Sequence, residues 1–204
     1  MARKCKEDSD RTYPMLLDAA EQVFSQKGYA SATFHEIAEQ AGLTRGAIYW
    51  HFSDKHELLE AVLRRARLPW DGLPQQFSSL EQCPSLSDLG QTFAKGLATI
   101  VGDPSLQRVT LILLLRTELV SDNHPAHHRL TAIHERIKRY LVAALSWRYH
   151  NPDGTPHDNI PAAATAVKAL LVGTVMGWLL SQTEVDLSSL PRMVELLISN
   201  FVDG

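Results

Sequence analysis

The sequence predicts an all-α protein of about nine helices: an N-terminal three-helix unit with a helix-turn-helix, followed by a larger helical domain. Three observations carry that prediction. Residues 28–56 contain two short helix signals that meet at Gly42, each opened by its own capping residue. Apolar residues recur elsewhere at helical spacing, as in Leu130, Ile133, Ile137, Leu141 and Leu145. No segment shows the strict alternation of a half-buried strand.

The first helix is expected from about Pro14 to Lys27, because proline is best tolerated in a helix's first turn. Gly28 ends it. Thr33 and Glu36 have capping-box spacing, and Gly42 supplies a left-handed exit. Thr44 then caps a helix through His51, with Ile48 and Phe52 turned inward. The Ser53-Asp54 pair, with Glu57, opens a fourth helix that Leu68-Pro69 stops near Arg67. Its last turn carries Arg64, Arg65 and Arg67, favourable at the negative end of the helix dipole. Residues 69–85, with Pro69, Pro74 and Pro84, read as a loop with a short helical turn around Trp70.

Ser85 or Ser87 opens a helix to about Val101, and Asp103-Pro104 opens one to about Val120. Within the latter, Leu111-Ile-Leu-Leu-Leu115 is apolar all round and calls for burial on every side. Three more helices follow, over 126–149, 161–181 and 189–202. The expected division is a helix-turn-helix domain over residues 1–56 and a ligand-binding and dimerisation domain over residues 57–204.

The second helix of a helix-turn-helix enters the major groove of DNA. Here that helix and its flanks offer Thr44, Arg45, Tyr49, Trp50, His51 and Lys55, mostly groups that reach phosphates or base edges. Gly46 and Ala47 are small enough for the backbone to approach the groove floor. Arg45 is the candidate for base readout, to a guanine. Thr33, Thr44, Tyr49, Trp50, His51 and Lys55 are candidates for positioning on phosphates. For Tyr49, a purely packed role stands as an equal alternative.

Leu17-Asp-Ala-Ala-Glu-Gln-Val-Phe24, Lys27-Gly-Tyr29, Thr33-x-x-Glu-Ile-Ala38 and Gly42-Leu-Thr-Arg-Gly-Ala-Ile-Tyr-Trp-His-Phe-x-Asp-Lys55 resemble the TetR family of one-component repressors. With the opening Ala2–Glu7, they are similar to its AcrR-like subgroup, repressors of multidrug efflux pumps. One departure is Tyr13-Pro14-Met15, where the family usually has Arg-Glu-Gly. It implies a later start for the first helix and the loss of that arginine's phosphate contact. The resemblance implies a homodimer on double-stranded palindromic operator DNA, released by a hydrophobic or aromatic small molecule.

It also assigns candidate sites. Trp70, Thr110, Leu113, Leu114, Thr117, Lys168, Leu171, Val172 and Val175 match drug-contacting segments of AcrR-like proteins. Thr165, Ala169, Gly173 and Gly177 place a small residue at every fourth position of the 161–181 helix. Each interior glycine there costs about 1 kcal/mol against alanine, so close packing should compensate. Packing within the chain would do so; a dimer interface, built with the last helix into a four-helix bundle, is the reading the resemblance favours. Lys168 is the sole charge between Pro161 and Ser181. It either snorkels to the rim or lines the ligand site near Glu118.

Composition limits the alternatives. A net charge of −3 is not that of a broad non-specific nucleic-acid binder, and residues 1–56 hold seven Lys/Arg against eight Asp/Glu. Useful affinity then requires two half-sites. Arg3, Lys4 and Lys6 are followed by Glu7-Asp-Ser-Asp-Arg11 rather than by a signal peptide's apolar stretch. The apolar run 166–180 is short for a membrane span and contains Lys168. A cytoplasmic protein without membrane association is expected. Cys5 and Cys83 read as free thiols.

No cofactor or metal is expected. His124-Pro-Ala-His-His128 straddles a proline break and lacks the ligand set of a zinc site. His134-Glu135 is followed by Lys138 where a zinc-protease motif needs histidine. No P-loop, Gly-x-Ser-x-Gly or dinucleotide fingerprint is present. A sensor of a metabolite or lipid is the runner-up, and a helical enzyme the alternative outside regulation.

Overall fold

The structure is a computed structural model that describes residues 2–78, 81–117, 124–181 and 186–202, with side chains from residue 11 onward. Nine helices lie among the described residues: α1 (Ala2–Lys27), α2 (Phe34–Gln40), α3 (Arg45–His51), α4 (Lys55–Arg65), α5 (Leu86–Gly102), α6 (Pro104–Leu115), α7 (Pro125–Arg148), α8 (Ile160–Ser181) and α9 (Leu190–Val202). The one extended pairing among them is an isolated bridge between His150 and Pro156. The chain divides into two compact units, Met1–Arg67 with Asp103–Leu130, and Leu68–Gly102 with Thr131–Gly204.

In the first unit α1 packs on α2, α4 and α6. Its stripe of Leu16, Leu17, Ala20, Val23 and Phe24 is buried, as are Ile37, Ile48, Phe52, Leu58, Leu59 and Val62 from the segments that follow. Each large apolar side chain removed from water contributes about 1.5–3 kcal/mol. Helices of seven residues such as α2 and α3 are too short to persist alone, so this shared core holds them.

α1 starts well before Pro14, which corrects the expected start: the proline lies inside the helix. Its ring removes one backbone hydrogen bond, but Thr12 and Tyr13 just before it are engaged. The Thr12 hydroxyl lies 2.8 Å from His51 Nε2, and Tyr13 stacks on Phe52 at 5.3 Å between ring centroids. These contacts fix the preceding turn in a helical position. α6 ends at Leu115, short of the expected Val120, and residues 118–123 lie outside the described residues. Nor is Leu111–Leu115 buried all round: Ile112 and Leu113 are buried, while Leu111, Leu114 and Leu115 are half-buried.

The second unit is built on α5, α7, α8 and α9, with α9 packed along α5 and α8. Leu89, Phe93, Leu97 and Ile100 of α5 are buried, as are Ile133, Ile137, Leu141 and Leu145 of α7. α8 and α9 add Val167, Leu171, Val175, Leu190, Val194 and Ile198. α8 matches the expected 161–181 helix and extends past the apolar run 166–180. Its 22 residues are long and apolar enough to cross a membrane by length and composition. Its inner face, however, is committed to the core of this unit. Cys83 is buried rather than in an open linker; its thiol donates to Ala144 O at 3.2 Å, and burial raises its pKa.

The α5–α9 contact leaves no room at one position. A Cβ on Gly90 would lie 2.5 Å from Pro191 Cα and 2.8 Å from its carbonyl oxygen. Because backbone has to give way, Gly90→Ala should destabilise the protein by roughly 1–3 kcal/mol. Urea unfolding of the variant should show a lowered midpoint; an unchanged midpoint would mean that α9 is not held at this distance.

Candidate nucleic-acid interface

The turn between α2 and α3 follows from local chemistry. Thr33 Oγ1 accepts from Glu36 N, and the Glu36 carboxylate accepts from Thr33 N at 3.0 Å, a complete capping box. The same carboxylate pairs with Lys27, and hydrogen bonds from Lys27 and Thr33 lower its pKa to about 2. At the other end, Leu43 N donates to Ala38 O and Gly42 N to Glu39 O, with Gly42 at φ +67°. That 6→1 and 5→2 pairing is a Schellman motif, and glycine takes its left-handed position without strain.

Thr44 occupies the N-cap position of α3 but makes no side-chain cap hydrogen bond, a departure from the expected cap. Its hydroxyl is left on the exposed surface with Arg45 and Gly46. Ala47 is half-buried. Ile48 is fully buried and anchors the helix, while Tyr49 and Trp50 are 51% and 73% exposed. The Arg45 guanidinium sits 5.7 Å from the Tyr49 ring centroid, and Nη2 lies 3.5 Å from the Tyr49 hydroxyl. Tyr49 also meets Phe34 edge-on at 5.2 Å. The tyrosine therefore both braces α3 on α2 and steers the arginine.

The structure gives two residues internal work. His51 is half-buried, bonds Thr12 and meets Tyr13 edge-on at 5.6 Å; burial lowers its pKa, which favours the neutral ring. The Lys55 ammonium donates to Ala30 O and Ala32 O, both at 2.9 Å, and lies 4.7 Å from the centre of the Tyr29 ring. Burial lowers its pKa as well. Lys55 thus clamps the loop that leads into α2. Asp54 caps α4 by accepting from Glu57 N, and the Glu57 carboxylate accepts from Ser53 N and Oγ.

The strongest group that the sequence reading missed is Glu21, whose side chain is 3% exposed. It accepts from Arg65 Nη2 at 3.0 Å, Arg108 Nε at 2.8 Å and Ser105 Oγ at 2.9 Å. Arg65 also reaches Asp18 at 2.6 Å. The available signal was position: Glu21 falls on the same helical stripe as Leu17, Ala20 and Phe24.

The expected ligand-lining residues fall on different elements. On α6, Thr110 and Leu113 are buried, and Leu114 and, beyond the helix, Thr117 are half-buried. Both threonine hydroxyls are spent on α6 backbone, Thr110 on Leu106 O and Thr117 on Ile112 O, each at 2.7 Å. On α8, Leu171 and Val175 are buried and Lys168 and Val172 half-buried. Val175 borders an apolar gap of about 10 Å³ with Leu97, Ile100 and Trp178. Burial, and then the nearby Lys168 ammonium, lower the pKa of His134 on α7. Glu118 lies outside the described residues. Trp70 is buried in the other unit from α6, its indole nitrogen against Gly96, where a Cβ would meet it.

On α8, Thr165, Ala169, Gly173 and Gly177 are all exposed, and nothing lies within 4 Å of a Cβ on either glycine. Intrachain packing therefore does not explain the small-residue stripe. Leu180 beside it is 72% exposed, and Leu196 on α9 is 52% exposed. Among the described residues no three His, Cys, Asp or Glu side chains gather as a metal site. His124 instead accepts a hydrogen bond from Ala126 N at the start of α7.

The Lys55 clamp yields a prediction. Lys55→Ala removes two charge-assisted hydrogen bonds from the 30–32 loop, which should cost roughly 1–3 kcal/mol. A thermal melt should show lowered stability, and amide exchange should speed up in α2. Wild-type exchange in α2 would show that the clamp is not what orders the loop.

The bacterial regulatory proteins of the tetR family match residues 16–62, which span most of α1 to α4. Over 185 residues the chain is 30% identical to the HTH-type transcriptional repressor BepR of Brucella suis biovar 1, covering 91% of this chain and 88% of that one. It is 29% identical over 187 residues to the HTH-type transcriptional regulator TtgR of Pseudomonas putida, covering 92% and 89%. Its fold is similar to the crystal structure of NalD, the secondary repressor of the MexAB-OprM multidrug efflux pump in Pseudomonas aeruginosa. The TM-score is 0.75 at 28% identity, with 96% and 98% of the two chains covered. With the aromatic-faced α3 in place, these likenesses settle the family: the chain belongs to the TetR family of bacterial regulatory proteins, and is a soluble helix-turn-helix transcriptional regulator that binds operator DNA as a dimer, not an enzyme.

Proposed function

We propose that the protein is a cytoplasmic repressor of a multidrug efflux operon, released from a palindromic operator when a hydrophobic or aromatic small molecule binds it. Residues 1–56 read the DNA, and residues 57–204 bind the ligand and form the dimer. The observation that carries the reading is α3 itself: a helix anchored by buried Ile48 that turns Arg45, Tyr49 and Trp50 outward. Charged and aromatic groups held out from a firm base suit a groove. Efflux control is supported by the likeness to NalD, a secondary repressor of a multidrug efflux pump. The ligand's apolar character is supported by composition: α6 and α8, each taken by itself, consist mostly of apolar residues with few polar groups.

Arg45 is the base reader in this proposal, with Tyr49 as its brace; Thr33, Thr44, Trp50 and His51 position the helix around Gly46 and Ala47. Arg45→Ala should relax base preference at one position per half-site by about 1–3 kcal/mol, while Trp50→Ala weakens all sequences together. Binding of both variants to a panel of single-base operator changes separates these roles. An equal loss across the panel for Arg45→Ala would remove it as the base reader. A gel shift on the protein's own upstream DNA, with and without an aromatic drug, tests the repressor reading as a whole. Failure to bind that DNA, or binding untouched by drugs, would count against it.

The exposed stripe on α8 is proposed as the dimer seam, with α9 beside it. Gly173→Leu should therefore weaken self-association while leaving the folded chain intact, since no atom of the same chain lies near a Cβ there. Sedimentation equilibrium measures this directly. An unchanged dimer constant would place the interface elsewhere.

A further inference from the structure

α7 buries one face in the second unit and leaves the opposite one to line a groove. Ile133, Ile137, Leu141, Ala144 and Leu145 are buried. Ala143, Ser146 and Trp147 fall on the other side of the helix. With His150 just beyond the helix, and Gln75 and Phe77 of the loop before α5, they border a cavity of about 450 Å³. None of the candidate inducer residues borders it.

The walls of this groove are held from outside it. The Gln75 amide nitrogen donates to Leu73 O at 2.9 Å and Pro74 O at 3.0 Å, and reaches Arg136 O of α7 at 3.5 Å. The Phe77 ring lies 5.9 Å from that of Tyr140, which meets buried Phe93 edge-on at 6.2 Å. Arg148 ties down the end of α7 by donating to Pro84 O and Cys83 O, at 2.8 and 3.0 Å. His150 is paired with Pro156 in the isolated bridge, beside a bond from His157 N to Tyr149 O at 3.0 Å. A groove with walls fixed in this way is formed before any ligand arrives, which lowers the entropic cost of binding.

The geometry points to this groove as a small-molecule site of its own, for a neutral, planar aromatic compound that carries a hydroxyl or N–H donor. Its volume falls in the range of ligand pockets. Trp147, 36% exposed, and half-buried Phe77 offer aromatic surface for a flat ring. No carboxylate, ammonium or guanidinium lines it, so an ionic ligand would give up water without gaining a counter-charge. The polar groups on its wall favour a donor. With its amide nitrogen committed to backbone carbonyls, Gln75 keeps a buried oxygen that has no hydrogen-bond partner. A buried acceptor without a donor is costly, and a donor on the ligand relieves that cost. The Ser146 hydroxyl and the His150 imidazole can accept as well. This site stands apart from the efflux reading and does not rest on it.

The test is fluorine NMR of the full-length protein labelled with 5-fluorotryptophan, which places a reporter at each of Trp50, Trp70, Trp147 and Trp178. The probes are indole and 2-naphthol, each matched by a methylated partner without the donor, 1-methylindole and 2-methoxynaphthalene. At least one donor-bearing probe should shift the Trp147 resonance saturably, and its methylated partner should bind at least several-fold more weakly. Ala143→Trp fills the groove and should abolish the Trp147 response. Ser146→Arg serves the same purpose if the first variant fails to fold. A Trp147 resonance that neither probe moves, or that moves as much in the folded groove-filling variant, overturns the site. Shifts confined to Trp70, a candidate inducer residue, overturn it too. Equal binding of the methylated partners overturns the assigned ligand class.

Discussion

A carboxylate buried at Glu21 constrains three helices at once. Removing a charge from water costs several kcal/mol, and the cost is offset only when donors surround it in good geometry. Arg65 at the end of α4 and Ser105 and Arg108 at the start of α6 supply those donors. Because the acceptor is fixed on α1, α4 and α6 have to arrive at defined positions and rotations. Apolar packing alone tolerates small slides between helices; a buried, directional network does not.

The reader depends on that platform. α2 and α3 are each seven residues long and contribute Ile37, Ala38 and Ile48 to the buried core. Their ends are settled locally, by the Thr33–Glu36 box and the Schellman turn at Gly42. Their position is settled from outside, by Thr12 and Tyr13 against His51 and Phe52, and by Lys55 gripping the loop before α2. The result is a short helix with a rigid base and a free outer face, which is the property sequence readout needs.

The second unit shows the complementary condition. Its inner faces are filled by α5, α7, α8 and α9, yet α8 keeps a smooth exposed stripe flanked by Leu180, with Leu196 exposed on α9. Glycines in a helix interior that touch nothing in their own chain carry a conformational cost without a visible return. In the proposed dimer that return comes from backbone approaching backbone at the α8 seam. The proposed seam accounts in the same way for an α8 apolar and long enough to resemble a span.

The sequence by itself determined what depends on neighbours within about four residues. The capping box, the glycine exit, the inward pair Ile48 and Phe52, the Asp103-Pro104 start and the stripe of α7 were all legible, because each is a local interaction with a fixed spacing. Only the tertiary structure decided the rest. Pro14 inside α1 follows from contacts that Thr12 and Tyr13 make with residues near position 51, out of reach of a local rule about proline. Lys55 reads in the sequence as a phosphate contact, and the fold gives it a clamp's place as well, because the loop's carbonyls converge on it. Glu21 meets partners 44 to 87 residues away, a pairing no periodicity encodes. Such groups acquire their role only when packing brings distant donors to one buried acceptor, and that is set by the whole fold.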